Sequence, residues 1–506
     1  MWVAVALCLV FTLAAVCVRR RRRRLRRLIA EMPGPKGLPV LGIALEANRN
    51  VATIMDFMKE QRSIHGDTIA VWLGPWAVVL LTDPRDMEIV LNKTATLSKS
   101  MLYKVPQLIL GYGLLTAARD DWKRYHKITT PAFKNVTLLS FLPAFNEKSR
   151  VLVDVLKSHQ DGSSFDVLTY MNMCTLDIIT DTSLGANMDI LKNNRVELVE
   201  GLKNAEDMVF YATAQPWLWI PWLMKTTSSY KKMVNGMKVL WDFAENIIDQ
   251  KLSNGITVNG IRDKECAKES DQLLDIKSKR MGFLDHVVSL MKTQSTLLTK
   301  TELRDNTMTV IAGGTDTAAS VMSAALKLLG LHQDVQRKVV EELEHIFGDD
   351  IHREVTAEDL KKMVYLEQVI NETLRLYPPL PIVSRVVEEE VDITGYTLPK
   401  GTIVLMSPFI TQRDASNFPD PDKFDPDRFS SENSIGRHPY SFIPFLGGRR
   451  MCIGKKYAYM QMKTILSAVL RNFRVLPCGS REDMEKVEFR LTLHMVTGNN
   501  IKLIRR

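Results

Sequence analysis

Cysteine is scarce in this sequence. Six are scattered through 506 residues, at 8, 17, 174, 266, 452 and 478. That number and spacing exclude a disulfide-stapled fold and fit a reducing compartment. Charged side chains are missing from residues 1–18, and no acidic residue precedes Glu31. From residue 45 onward there is no low-complexity linker and no internal repeat, which excludes a solenoid. A dinucleotide fingerprint is missing too, since Gly111-Tyr-Gly113 lacks the third glycine of G-x-G-x-x-G. The chain therefore carries no evident flavin or nicotinamide site of its own.

What is present begins with charge. The net charge is +9, and the eight arginines between Arg19 and Arg27 account for nearly all of it. A protein that is otherwise almost neutral is not a nucleic-acid binder, because that needs basic charge spread over a face. The collar follows an uncharged run, residues 1–18, which as a helix rises about 27 Å and matches a thin bilayer. A cleaved signal would carry its positive charge before the apolar run. The reverse order predicts an uncleaved anchor with everything after the collar in the cytosol. Residues 1–18 then form a single-pass anchor of the endoplasmic reticulum membrane, 19–31 a basic collar and 32–44 a proline-rich hinge. In the hinge, Pro33, Pro35 and Pro39 predict a stiff, extended spacer.

Residues 45–506 read as the globular part. Two short strands are expected within 68–81, around Gly74-Pro75. Long helical patterns dominate to about Tyr377, including one across 300–330 that is apolar almost all round from Met308. Short β-rich runs return over 385–405, followed by a turn-rich stretch over 414–429. A last helix is expected over about 453–473, its apolar positions Ala458, Met462, Ile465, Val469 and Phe473 stepping by three or four.

Before that last helix the chain reads PFLGGRRMCIG, residues 444–454. A helix N-terminus is electropositive and lowers the pKa of a thiol, and Arg449 and Arg450 add charge. Gly447, Gly448 and Gly454 permit positive φ and close approach to the backbone. A thiolate ligand beneath a planar cofactor fits these features. A catalytic nucleophile is the rival, without an evident histidine partner, and a buried structural cysteine is the plain alternative.

The stretch resembles the heme-binding signature F-x-x-G-x-R-x-C-x-G of the cytochrome P450 superfamily, at Phe445, Gly448, Arg450, Cys452 and Gly454. The resemblance extends from the hinge to the C-terminus. RHPYSFIPF, TPAF and PWLWIPW are most similar to the fatty-acid-hydroxylase clan, family four and its insect relatives. It implies a mainly α fold, with a large helical domain and a minor β-sheet portion behind an N-terminal membrane anchor. It also implies heme b with Cys452 thiolate as axial ligand, Arg450 on a heme propionate and Phe445 packed near the sulfur.

Other motifs agree. AGGTDT, residues 312–317, resembles the central-helix motif in which Asp316 and Thr317 support proton delivery to iron-bound dioxygen. The plain alternative is that Thr317 bonds back to the carbonyl of residue 313. Some relatives carry a glutamate that bonds heme covalently where this chain has Gly313, so the heme is expected to be non-covalent. Glu372 and Arg375 match the E-x-x-R motif, and with Arg428 they imply a buried structural network. Arg385 matches an arginine that meets a propionate. Trp122 matches the W-x-x-x-R motif, but His126 replaces the arginine. A protonated His126 would substitute for it, with Arg124 or Lys127 as alternatives.

The implied reaction is monooxygenation of a lipophilic substrate by O2: a fatty acid, terpenoid hormone, pheromone or xenobiotic. Electrons are expected from NADPH–cytochrome P450 reductase in the same membrane, with cytochrome b5 a second candidate donor. Arg449, Lys455 and Lys456 are candidates for the docking face. An O2-independent isomerase or dehydratase, or a heme-binding protein without turnover, is the rival reading. Candidate pocket segments are 101–115, 208–224, 310–317 and 380–384.

Overall fold

The computed structural model describes residues 23–49, 53–215, 218, 221–253, 281–294 and 297–506. The expected anchor over 1–18, and Trp217 and Trp219 of the second pocket-candidate stretch, 208–224, lie outside them. Among the described residues no helix is long and apolar enough to cross a membrane.

Helices dominate, as the sequence pattern predicts. Those that build the site are α1 (Arg119–Thr129), α2 (Leu168–Ile179), α3 (Val196–Ala214), α4 (Ser228–Ser253), α5 (Lys300–Leu331), α6 (Val364–Leu376) and α7 (Lys455–Asn472). The 32-residue α5 starts on a capping box, in which Thr299 and Glu302 satisfy each other's backbone N–H groups. From Ala318 to Gly330 it is almost wholly buried, as an apolar-all-round pattern requires of an interior helix. Helix α2 lies against α5 at Gly314, where an added Cβ would sit 2.6 Å from the Ile179 side chain.

The β portion is small. Strands β1 (Thr68–Leu73), β2 (Trp76–Leu81), β3 (Val383–Val386) and β4 (Ile403–Met406) form one sheet in the order β1-β2-β4-β3. β1 and β2 are antiparallel and turn at Gly74, whose φ of 58° suits glycine. β2 and β4 run parallel, and β4 pairs antiparallel with β3 so that Arg385 opposes Val404. A hairpin of β5 (Val487–Phe489) and β6 (Leu493–Met495) is tied inward, because Leu493 N–H donates to the Pro379 carbonyl at 2.9 Å. Strands Asp161–Asp166, Asn500–Arg505 and Phe473–Leu476 make a further sheet.

The hinge departs from an extended spacer. Ala70 N–H donates to the Pro33 carbonyl at 2.8 Å. Residues 38–42 then close a tight turn, with Val40 at φ 68° and Gly42 bridged to Leu73. The prolines stiffen a strap that is stitched onto β1. The described end of the collar is a helix, Arg23–Ala30, with Ile29 buried and Arg24 paired to Glu390 at 2.7 Å.

Candidate active site

The cysteine loop is held by its own backbone. Cys452 N–H donates to the Phe445 carbonyl at 2.9 Å, and Leu446 N–H to the Ile443 carbonyl at 2.9 Å. Leu446 and Gly448 take positive φ, 59° and 68°. The Phe445 ring packs 5.3 Å from that of Tyr459. The glycines serve differently from expectation. A Cβ on Gly448 would meet the Leu91 carbonyl oxygen at 2.2 Å, and one on Gly447 the Tyr440 ring at 2.5 Å. Protein, not a ligand, makes those close approaches. Only at Gly454, the N-cap of α7, would a Cβ face the Cys452 sulfur, at 3.8 Å.

Cys452 keeps exposed surface, yet burial pushes its thiol pKa up, against the Gly454 N–H and the Lys455 charge. A side chain both accessible and desolvated faces an internal space rather than bulk water. The expected lowering by Arg449 and Arg450 does not occur, because neither points at the sulfur. Arg449 Nε donates to the Asn92 carbonyl at 3.3 Å. Arg450 donates to the carbonyls of Leu97, Leu114 and Ala117 at 2.7, 3.2 and 3.1 Å. A cation coordinated to the sulfur overrides the desolvation, since metal-bound thiols are deprotonated outright.

Arg450 is the centre of a cluster. Its guanidinium lies 4.9 Å from the Trp122 ring centre, which contributes cation–π attraction. Burial, and then the Arg385 charge, push its pKa down to about 9. Arg385 on β3 donates to the Ser384 carbonyl at 3.0 Å and interacts with Tyr103, and its buried Nη2 has no hydrogen-bond partner among the described residues. Burial and the two arginines together push Lys99 well below its ordinary value. Its segment is fastened beside β3 by the Ser100–Ser384 hydroxyl contact of 2.6 Å. Three neighbouring basic groups with no carboxylate partner among the described residues are costly to charge unless an anion joins them. Two propionates are such an anion, so the residues present fit heme.

His126 does not supply the missing charge. Burial and the Arg450 charge lower its pKa, which keeps the ring neutral at pH 7. It sits 5.0 Å from the Trp122 ring. Arg124 turns outward to Glu302 and the Leu297 carbonyl, and Arg119 pairs with Glu388 at 3.2 Å. The third cation is Lys99. A lysine in SKSMLYK carries no signal that separates it from a surface lysine.

In α5 the plain alternative for Thr317 is what the structure shows, its hydroxyl donating to the Gly313 carbonyl at 2.8 Å. Gly313 itself is exposed within this helix, and an added Cβ would meet nothing within 4 Å. No carboxylate stands there. Asp316 is buried, and its Oδ2 accepts from Thr492 at 2.6 Å. The Asp316 carboxylate also lies in a cluster with Glu206 and His494. The sequence reading missed Glu206, Thr492 and His494, which come from α3 and the β5–β6 hairpin, far from α5 in sequence.

The structural network is assembled as implied. Arg375 donates to both oxygens of Glu372 at 2.7 and 2.8 Å, with both side chains fully buried. Arg428 approaches Glu372 at 3.6 Å, and Asp425 N–H donates to it at 2.9 Å. Arg375 further holds the carbonyls of Gln412 and Lys423.

Comparison with known proteins agrees with this geometry. A family model described as Cytochrome P450 matches residues 32–502. Cytochrome P450 4V2 of Mus musculus is 36% identical over 459 residues, covering 89% of this chain and 85% of that protein. Cytochrome P450 4V2 of Homo sapiens is 35% identical over 478 residues, covering 93% and 89%. Cytochrome P450 4c3 of Drosophila melanogaster is 34% identical over 473 residues, covering 93% and 88%.

Proposed function

This chain belongs to the cytochrome P450 family, within the family-four clan and its insect relatives, and is a heme-thiolate monooxygenase using heme b; from that premise we propose how its own residues serve the reaction. Cys452 would ligate the heme iron. Arg450, Arg385 and Lys99 receive the propionates, Trp122 packs on Arg450, and neutral His126 contributes a hydrogen bond rather than a charge. Bound heme would supply the oxygen-activating chemistry, with the Cys452 thiolate as its protein ligand. Phe445, Gly448 and Gly454 keep the sulfur in place. Gly313 leaves room in α5, while Thr317 and Asp316 hold protons on that side. The observation that carries this assignment is the cation cluster without a carboxylate, next to a cysteine that is at once accessible and desolvated.

The substrate in this reading is a lipophilic small molecule: a fatty acid, terpenoid hormone, pheromone or xenobiotic. Val310, Ala312, Leu380 and Ile382, from the candidate segments, are apolar and only partly buried, which supports an apolar lining. Electrons come from NADPH–cytochrome P450 reductase, with cytochrome b5 as a second donor. Exposed Arg449, Lys455 and Lys456 near the cysteine loop suit an acidic partner. An anchor over 1–18 seats the protein on the endoplasmic reticulum membrane. Exposed Leu38, Val40, Leu41 and Leu45 beside the collar support a membrane-facing edge.

The deciding experiment is the carbon-monoxide difference spectrum of the reduced protein. A thiolate-type band is expected, and Cys452→Ala should abolish it. A band that survives the substitution would remove Cys452 from the iron.

A further inference from the structure

Four side chains from three separate elements meet behind the central helix. Glu206 comes from α3, Asp316 from α5, Thr492 from the turn before β6, and His494 from β6. His494 Nε2 lies 2.8 Å from Glu206 Oε2 and 3.1 Å from Thr492 Oγ1. Thr492 donates to Asp316 Oδ2 at 2.6 Å. Glu206 is 5% exposed and Asp316 7%, so two carboxyls share a site from which water is largely excluded. A structural role asks less of these residues, since one neutral hydrogen-bonded pair would fix the hairpin to α3. The Arg490–Asp207 pair already does so from the rim.

We propose that Glu206 and His494 are the proton reservoir for Asp316, with the Thr492 hydroxyl as the link between them. In one transfer Thr492 passes its proton to Asp316 and takes one from His494 Nε2. Glu206, and then solvent, replaces it. One proton moves and no electron does. His494 keeps the most exposed side chain on the route, at 16%, and borders a small cavity it shares with Ser320, Tyr377 and Asn499. Burial, and then the Asp316 charge, push Glu206 up to about 7, so the reservoir is half-charged near neutrality. Burial opposes the charge on His494, but the Glu206 hydrogen bond and the two carboxylate charges outweigh it and raise its pKa. Arg490 works the other way on His494 and is held off by Asp207 and by Glu488 at 3.4 Å.

The proposal rests on the reading of Asp316 as a proton-delivery group, and the two fail differently. The test uses reductase-reconstituted holoenzyme oxidising NADPH in air, with no organic substrate added. Reduction of O2 to water consumes twice the NADPH per O2 that reduction to peroxide does, and it needs the extra delivered protons. In wild type the water-forming share should fall as pH rises through about 7. In Glu206→Gln and His494→Gln that pH dependence should flatten and the water-forming rate drop about tenfold or more. If Asp316→Asn lowers water formation while Glu206→Gln and His494→Gln leave the pH profile unchanged, the reservoir is refuted and the Asp316 reading stands. If Asp316→Asn changes nothing either, both fall.

A second measurement needs no turnover and does not depend on reductase or on variant stability. Infrared pH-difference spectra of the wild-type holoenzyme should show a buried carboxylic acid losing its proton near pH 7, and a band that titrates only well below that would overturn the proposal. Zinc retained stoichiometrically by wild type and lost in Glu206→Gln would make the cluster a metal site instead, and would overturn it as well.

Discussion

Arg450 sits over the Trp122 ring, 4.9 Å from its centre, and spends its hydrogen bonds on three backbone carbonyls. It is therefore fixed before any propionate arrives. The positive potential of the site is built into the protein by Arg450, Arg385 and Lys99 together, and this has measurable consequences.

Replacing Lys99 with methionine should separate cofactor retention from fold stability. Without heme, burial and the two arginines disfavour a charged Lys99, so Lys99→Met should unfold at the same or higher urea concentration than wild-type apoprotein. With heme a charge-assisted hydrogen bond is lost, worth roughly 1.5 kcal/mol or more, so heme transfer to apomyoglobin should quicken about tenfold. Equal heme retention would remove Lys99 from the propionate site.

His126 should make stability depend on acid. Its folded pKa is lowered by burial and Arg450, so below its ordinary value of about 6.5 the unfolded chain binds the proton first. Stability is then lost as pH falls from 6.5 toward the folded pKa. Urea midpoints at pH 7.5 and 5.5 should differ less for His126→Gln than for wild type. The opposite ordering would mean that the ring is charged in the fold.

The two central-helix glycines should respond oppositely to alanine. At Gly314 the new methyl meets Ile179 at 2.6 Å, and overpacking should cost about 1–3 kcal/mol in chemical denaturation. At Gly313 it meets nothing, so helix propensity should add up to about 1 kcal/mol of stability. The cost there should appear as altered binding spectra of fatty-acid probes, since the methyl enters the open space.

The Glu372–Arg375 pair should be expensive to break and cheap to replace. Arg375→Leu alone leaves a buried carboxylate beside Arg428 and should cost about 3–5 kcal/mol in urea unfolding. The double substitution Glu372→Gln with Arg375→Leu should recover part of that loss. A single-variant loss below about 1 kcal/mol would show the pair to be hydrated, against its full burial.

The sequence displayed the parts of this protein whose cause is local. The cysteine loop can be read from PFLGGRRMCIG because positive φ, a helix start and a thiol occur within eleven consecutive residues. Helix α5 can be read because an interior helix must be apolar all round, and the E-x-x-R pair because one helical turn brings both residues to the same face. The positive φ expected at Gly448 is present, but the same local reasoning did not see the close approaches of Tyr440 to Gly447 and of Leu91 to Gly448, which exist only in the folded chain. It also misjudged the hinge, whose partner is β1.

Family membership, the cofactor and the oxygen chemistry were thus determined by short stretches in which neighbours along the chain are neighbours in space. Tertiary structure alone decided which charges gather where. Lys99 joins Arg385 and Arg450 because a hydroxyl contact fastens its segment beside β3. Glu206 and His494 reach Asp316 because α3, α5 and a C-terminal hairpin converge. Burial then pushes the Glu206 carboxyl up, and burial is a property of the whole packed fold that no short stretch of sequence carries.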